Sequence, residues 1–193
     1  MEQLALLEKF IAGICPLTAE ELDRFLSIWE PFSAKRKTML TRAGDTERHL
    51  YFVTDGIQRV YYYDEQDREA TIVFTYAPSF AGVADSFLTQ TPSRFFAETL
   101  TASSFLKTSF RQLDELMKQH HHIEHMIRKL TNAAFAGVLE RMVEIQCYTA
   151  EEKFKTLLKR SPHLLQMIPH KYIASYLGID ATNFSKLLAS VRI

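Results

Sequence analysis

The chain has 193 residues, with 23 Lys and Arg against 23 Asp and Glu, and 47% of its residues are hydrophobic. That composition excludes wholesale disorder, and no run approaches the roughly 20 apolar residues of a membrane span. Two cysteines, Cys15 and Cys147, are too few for a disulfide framework, a four-cysteine zinc site or a cysteine-held iron–sulfur cluster. The length suits one large domain or two small ones.

The N-terminal segment MEQLALLEKF carries acids and lacks the layout of a signal peptide, so the cytoplasm is the expected location. Leu4, Leu7, Phe10 and Ile11 have helical spacing. A second helix is predicted over 18–30. Thr18 and Glu21 form a capping-box pattern ahead of Leu22, Phe25, Leu26 and Trp29. From Lys35 to Phe110 the texture changes to short Tyr-, Phe-, Val- and Thr-rich segments. They are Thr38–Leu40, Leu50–Val53, Gln58–Tyr63, Glu69–Tyr76, Ala97–Leu100 and Phe105–Ser109. Turn residues separate them, at 43–45, 54–56 and 64–67, which predicts an all-β unit. Helical periodicity returns from Leu113 to Cys147. Ile123, Met126, Ile127, Leu130, Ala134, Val138, Met142 and Ile145 make one stripe suited to packing against a partner helix or the β unit. Further helices are predicted at 151–160 and after Pro162.

Charge is uneven along this order. Residues 1–110 carry 11 basic and 15 acidic residues, and residues 151–193 carry 7 and 3. A basic terminal module suits a polyanion, because neutralised phosphates release counterions; a solvated surface with chance clustering gives the same count.

The stretch 169–193, PHKYIASYLGIDATNFSKLLASVRI, is the most informative. Ile173, Ala174 and Leu177 share a helical face. Gly178 follows where a helix C-cap needs a left-handed residue, and Asp180 is a good N-cap for a second helix. In that helix Phe184, Leu187 and Leu188 face inward, and Thr182, Asn183, Ser185 and Lys186 face outward. Helix, glycine turn, helix is the helix-turn-helix layout, whose second helix enters the DNA major groove. A plain packing hairpin has the same outline.

Two motifs in this order resemble a known family. LTRAGDTERHLYFVTDGIQRV, residues 40–60, is similar to the signature of a cyclic-nucleotide-binding β-roll, with Gly44 and Gly56 at its turn glycines. IASYLGI, residues 173–179, resembles the helix-turn-helix of Crp/Fnr-type regulators, and its setting looks most like the Bacteroidetes branch. The resemblance implies an α+β chain. A double-stranded β-helix (jelly-roll-like) cyclic-nucleotide-binding-like domain with N-terminal helices would span 1–112. A connecting and dimerisation helix would span 113–147, and a winged helix-turn-helix 148–193. It further implies a homodimer on double-stranded DNA, each subunit reading half of a pseudo-palindrome, with RNA polymerase as a further partner. By the same carry-over, Thr182, Asn183, Ser185 and Lys186 lie near the bases and Lys171 at a phosphate, with Lys153, Lys155, Lys159 and Arg160 adding to the phosphate grip.

The sequence also departs from that family. Relatives that bind cyclic AMP carry a Phe-Gly-Glu-like turn and then Arg followed by Ser or Thr. Here SFAGVADSFLTQTPSRFFAETL, residues 79–100, puts Phe80 and Gly82 at the turn and Val83 at the glutamate position. Arg94 corresponds to the phosphate arginine, but Phe95 follows it. A ribose hydroxyl buried against Val83 would be unpaired, at roughly 1–3 kcal/mol. The degenerate effector pocket (Gly82, Val83, Ala84, Asp85, Arg94 and Phe95) is therefore not expected to take cyclic AMP, though Asp85 is a candidate substitute acceptor. The effector is unknown, or there is none, and no cofactor is expected. The start of the second helix is also poor in charge, with Ala181, Thr182 and Lys186 where relatives carry more Arg and Glu.

His120, His121, His122 and His125 form a cluster. Histidines at i and i+4 can share a metal, but a polar linker or exposed helix start is the expected reading here. There is no G-x-S-x-G, P-loop or G-x-G-x-x-G, so no enzyme is indicated. The expectation is a DNA-binding transcription regulator of the Crp/Fnr type, unresponsive to cyclic AMP. The alternative is a small-molecule-binding or protein-interaction module whose DNA-binding function has decayed.

Overall fold

A computed structural model describes residues 2–190. Helices α1 (Glu2–Ala12) and α2 (Ala19–Ser27) come first, and Thr18 and Glu21 form the expected capping box on α2. Eight strands follow: β1 (Glu30–Ala34), β2 (Met39–Thr41), β3 (His49–Asp55), β4 (Ile57–Tyr63), β5 (Glu69–Tyr76), β6 (Ser79–Ala81), β7 (Phe96–Thr99) and β8 (Ser103–Ser109). A short helix, α3 (Ala84–Thr89), interrupts them between β6 and β7. The helices α4 (Phe110–Gln119), α5 (His121–Cys147), α6 (Ala150–Arg160), α7 (Leu164–Met167), α8 (His170–Leu177) and α9 (Ala181–Ser190) complete the described chain. The α+β class and the six expected strand segments are present. β1, β6 and α3 are additions to the sequence reading, and the strands of a wing are not among the described residues.

The strands form two four-stranded sheets, ordered β1-β8-β3-β6 and β2-β7-β4-β5. The first is antiparallel throughout, with Phe32 opposite Phe105, Phe52 opposite Leu106, and Phe52 also opposite Phe80. Alternation along β3 and β8 serves two cores. Tyr51, Val53 and Phe105 pack with Ala34 and Ala81. Phe52 and Leu106 face the other way, onto Leu7, Ile11, Phe25, Leu113, Ile123 and Met126 of the helices. This explains the unbroken apolar run at 51–53: both faces are covered. Gly56 turns β3 into β4 at φ 88°, where a Cβ would stand 2.5 Å from the Ala102 carbonyl oxygen, so only glycine fits.

The chain divides into two compact units. One comprises residues 1–60 and 74–133, and the other residues 61–73 and 134–193. The second unit thus combines the outer part of the β4–β5 hairpin with the C-terminal helices. Its core gathers Phe154, Leu157, Leu164, Ile173, Leu177 and Phe184, all at most 2% exposed. The rings of Phe154 and Phe184 meet edge to face at 5.5 Å.

Candidate nucleic-acid interface and the cassette of the roll

Helices α8 and α9 are joined by a tight turn at Gly178. Gly178 ends α8 in the left-handed region at φ 67°. Its N–H donates to the Ser175 carbonyl, and the Ile179 N–H donates to that of Ala174, both at 3.1 Å. This pair of bonds is the Schellman closure, which satisfies the last carbonyls of α8 and turns the chain into α9. Asp180 then caps α9, its Oδ1 accepting the Asn183 N–H at 2.9 Å. The backbone N–H of Asn183 is the main cause holding the Asp180 carboxyl below the usual carboxylate range.

Lys171, Thr182, Asn183, Ser185 and Lys186 are all exposed. They differ in what they can offer a ligand. Asn183 Nδ2 donates to Asp180 Oδ2 at 2.5 Å, and Ser185 Oγ donates back to the Ala181 carbonyl at 2.9 Å. Lys171 Nζ lies 4.8 Å from the Tyr172 ring centroid. Thr182 and Lys186 make no side-chain hydrogen bond among the described residues. The start of α9 therefore presents the Asp180 carboxylate, a partly engaged amide and a hydroxyl, with one ammonium a turn later.

Behind these residues lies a polar network that sequence reasoning missed. Glu144 on α5 is buried and pairs with Arg141 at 2.5 Å and Arg160 at 3.3 Å. The Arg141 guanidinium stacks 4.1 Å from the Tyr176 ring centroid and bonds the Tyr176 carbonyl, while Arg160 donates to the Tyr176 hydroxyl at 3.1 Å. Arg160, expected at a phosphate, is exposed and shares Glu144 with Arg141. Lys155 and Lys159 are both exposed, and Lys155 pairs with Glu151 at 2.6 Å. Nothing local in the sequence links Glu144 to residues 16 and 32 positions away.

The cassette in the first unit is filled by its own side chains. Gly82 turns at φ 113° between β6 and α3. Val83 is 2% exposed and packs with Val60, Ala97, Leu40 and Phe95. Phe95 is half-buried, its N–H donating to Ser93 Oγ at 2.9 Å. Ala84, Asp85 and Arg94 are exposed. Beside Gly82 a cleft of about 50 Å³ is lined by His49, Leu50, Phe80, Ala81, Ala84 and Phe87. Ligand pockets usually enclose about 300 Å³ or more.

Glu47, a further residue the sequence reading did not single out, is buried at this turn. It accepts from the Thr41 hydroxyl and from the His49 N–H, the latter at 3.0 Å. A Cβ on Gly82 would stand 3.5 Å from Glu47 Oε2. Burial, aided by the Glu47 charge, raises the Tyr51 phenol above its ordinary value.

α5 changes character along its length. Ile123, Met126 and Ile127 are buried, but Phe135, Val138, Leu139, Met142, Val143 and Ile145 are 47–62% exposed. The predicted stripe is therefore two surfaces, one inside the first unit and one unpartnered in the second. In the histidine cluster, His122 Nδ1 lies 3.0 Å from Glu21 Oε1, tying α5 to the cap of α2. Among the described residues, no three His, Cys, Asp or Glu are gathered as a metal site. No helix among them is long and apolar enough to cross a membrane.

This geometry can be set against known proteins. Residues 31–120 match the cyclic nucleotide-binding domain. That domain covers the eight strands except the first residue of β1, and all of α3 and α4. Among solved structures, FixK2 from Bradyrhizobium japonicum is similar at a TM-score of 0.75 and 16% identity, covering 84% of this chain and 83% of its own. A protein from Eubacterium rectale described as a transcriptional regulator of the Crp/Fnr family gives 0.70 and 16%, covering 90% and 82%. The c-di-GMP-responsive global regulator CLP of Xanthomonas campestris gives 0.64 and 16%, covering 89% and 90%. At these identities the likeness is one of fold, and it gives no support to the Bacteroidetes branch. Comparison with curated proteins finds no match.

Proposed function

We propose that this protein is a homodimeric, DNA-binding transcription regulator of the Crp/Fnr type that does not respond to cyclic AMP. The observation that carries the reading is the Gly178 turn, which joins a packed α8 to an α9 whose outer face is polar and exposed. Thr182, Asn183, Ser185 and Lys186 serve at the bases and Lys171 at a phosphate. The fold shared with regulators over most of the chain supports the same reading.

The unpartnered apolar half of α5 supports dimerisation. Phe135, Val138, Met142 and Ile145 step by three and four, the spacing of a coiled-coil seam. Burying such side chains contributes roughly 1.5–3 kcal/mol each relative to leaving them in water. Two such subunits carry two α9 helices, which matches a pseudo-palindromic operator. A bound effector would act only through unequal affinity for two dimer states.

Refusal of cyclic AMP rests on Val83. It fills the position of a ribose acceptor with buried hydrocarbon, and Phe95 replaces a phosphate donor. Asp180 and the scarcity of cations on α9 favour the second reading, a roll-based binding module whose DNA function has decayed. Selection from a random duplex pool, together with calorimetric titration of cyclic AMP, tests both. An enriched palindrome and no heat are expected. Enrichment of nothing supports the decayed module, and saturable heat overturns the reading of the cassette.

A further inference from the structure

Ser175 stands on α8 with its side chain turned away from the core residues Ile173, Ala174 and Leu177. Its hydroxyl oxygen accepts the backbone N–H of Thr71 at 2.9 Å and lies 3.4 Å from the Glu69 carbonyl, to which it can donate. Both partners belong to β5, the edge strand of the second sheet, more than 100 residues away in sequence. An edge strand presents a row of backbone donors and acceptors with no neighbouring strand. One hydroxyl, able to donate and accept at once, matches two of them. Burial agrees with this pairing. Thr71 is 5% exposed, although Glu69, Ala70, Ile72 and Val73 around it are all exposed.

The next residue, Tyr176, is held by Arg141 of α5 and Arg160 of α6. Adjacent residues of one short helix thus grip two separate parts of the second unit. Ser175 grips the hairpin, and Tyr176 grips the long helix.

We propose that Ser175 is a positioning residue that docks the first helix of the helix-turn-helix on the edge of the β4–β5 hairpin. The hairpin thereby becomes a direct input to that helix, separate from the one through α5. A ligand or partner that moves β5 moves α8 through this hydroxyl. The consequence for DNA rests on the function proposed above; the docking itself does not.

Hydrogen exchange on the full chain tests it, read at the amides of residues 69–73 in the native protein, in Ser175→Ala and in Ser175→Thr. Loss of one neutral hydrogen bond should speed exchange at Thr71 about fivefold or more in Ser175→Ala. Protection at Phe52 and Leu106 should be unchanged, and Ser175→Thr, which keeps the hydroxyl, should restore the native rate. Equal rates in the native protein and Ser175→Ala overturn the docking role. The same three proteins are then titrated with a random-sequence duplex at low salt. A severalfold change in affinity for Ser175→Ala alone supports the link to DNA. Faster exchange with unchanged affinity overturns that link. Absence of binding by all three overturns the DNA reading and the link with it, leaving the docking to stand on exchange.

Discussion

Asp180 opens α9 with a carboxylate that is exposed, charged and bonded to Asn183. It stabilises α9 by capping, and a phosphate approaching the same helix end meets a like charge. Asp180→Asn keeps a good N-cap and removes the charge. It should raise affinity for a random duplex about three- to tenfold at low salt, the gain shrinking as salt screens it. Fluorescence anisotropy reads this, and unchanged affinity would place the carboxylate away from the DNA. Glu21 is a second residue whose charge has a stated partner. The backbone N–H of Thr18, its hydroxyl and His122 hold the Glu21 carboxyl below its ordinary value of 4.5, with burial opposing. A depressed carboxyl contributes stability that is present above the unfolded value and is lost as pH falls through the folded one. Melting temperature should therefore drop as pH falls below about 4.5. Glu21→Gln should flatten that drop, and identical profiles would remove Glu21 from the acid response.

At the scale of elements, α5 decides most. Its sequence reads as one continuous stripe, because residues 123 to 145 keep the same three–four spacing throughout. What the spacing does not contain is the place where the covering surface ends. Ile123, Met126 and Ile127 find α1, α2 and α4, whereas Val138 and Met142 remain 54% and 49% exposed among the described residues. Val138→Lys should convert a dimer to a monomer in analytical ultracentrifugation while leaving the helix content unchanged. A dimer that persists would put the seam elsewhere. Glu144, on the same half, closes the Arg141–Arg160 network. Removing one partner of a buried pair leaves charge without compensation, so Glu144→Ala should lose about 3 kcal/mol in urea unfolding. A loss below about 1 kcal/mol would mean that water replaces the carboxylate.

Across the whole molecule, order and class were legible while closure was not. The change from period two to helical spacing near Phe110 marked where the strands end, and Gly178 with Asp180 marked the turn between α8 and α9. β1 and β6 were not legible. EPFSA and SFA are short and carry too little alternation, and their partners Phe105 and Phe52 lie far along the chain. Val83 was recognisable as out of place beside Gly82, yet its burial depends on Val60 and Ala97 from other strands. Glu47, Glu144 and Ser175 have local sequences like those of surface residues. Only tertiary packing brings the cassette turn, Arg160 and the β5 backbone to them. In the proposed complex α9 meets DNA through Lys186. The most direct measurement is the affinity of the full chain for a random-sequence duplex across salt concentrations, beside Lys186→Ala. Salt-sensitive binding is expected for the native protein, with Lys186→Ala weaker and less salt-dependent because one cation has left the interface. Native binding that ignores salt, or a Lys186→Ala slope equal to the native one, would contradict it.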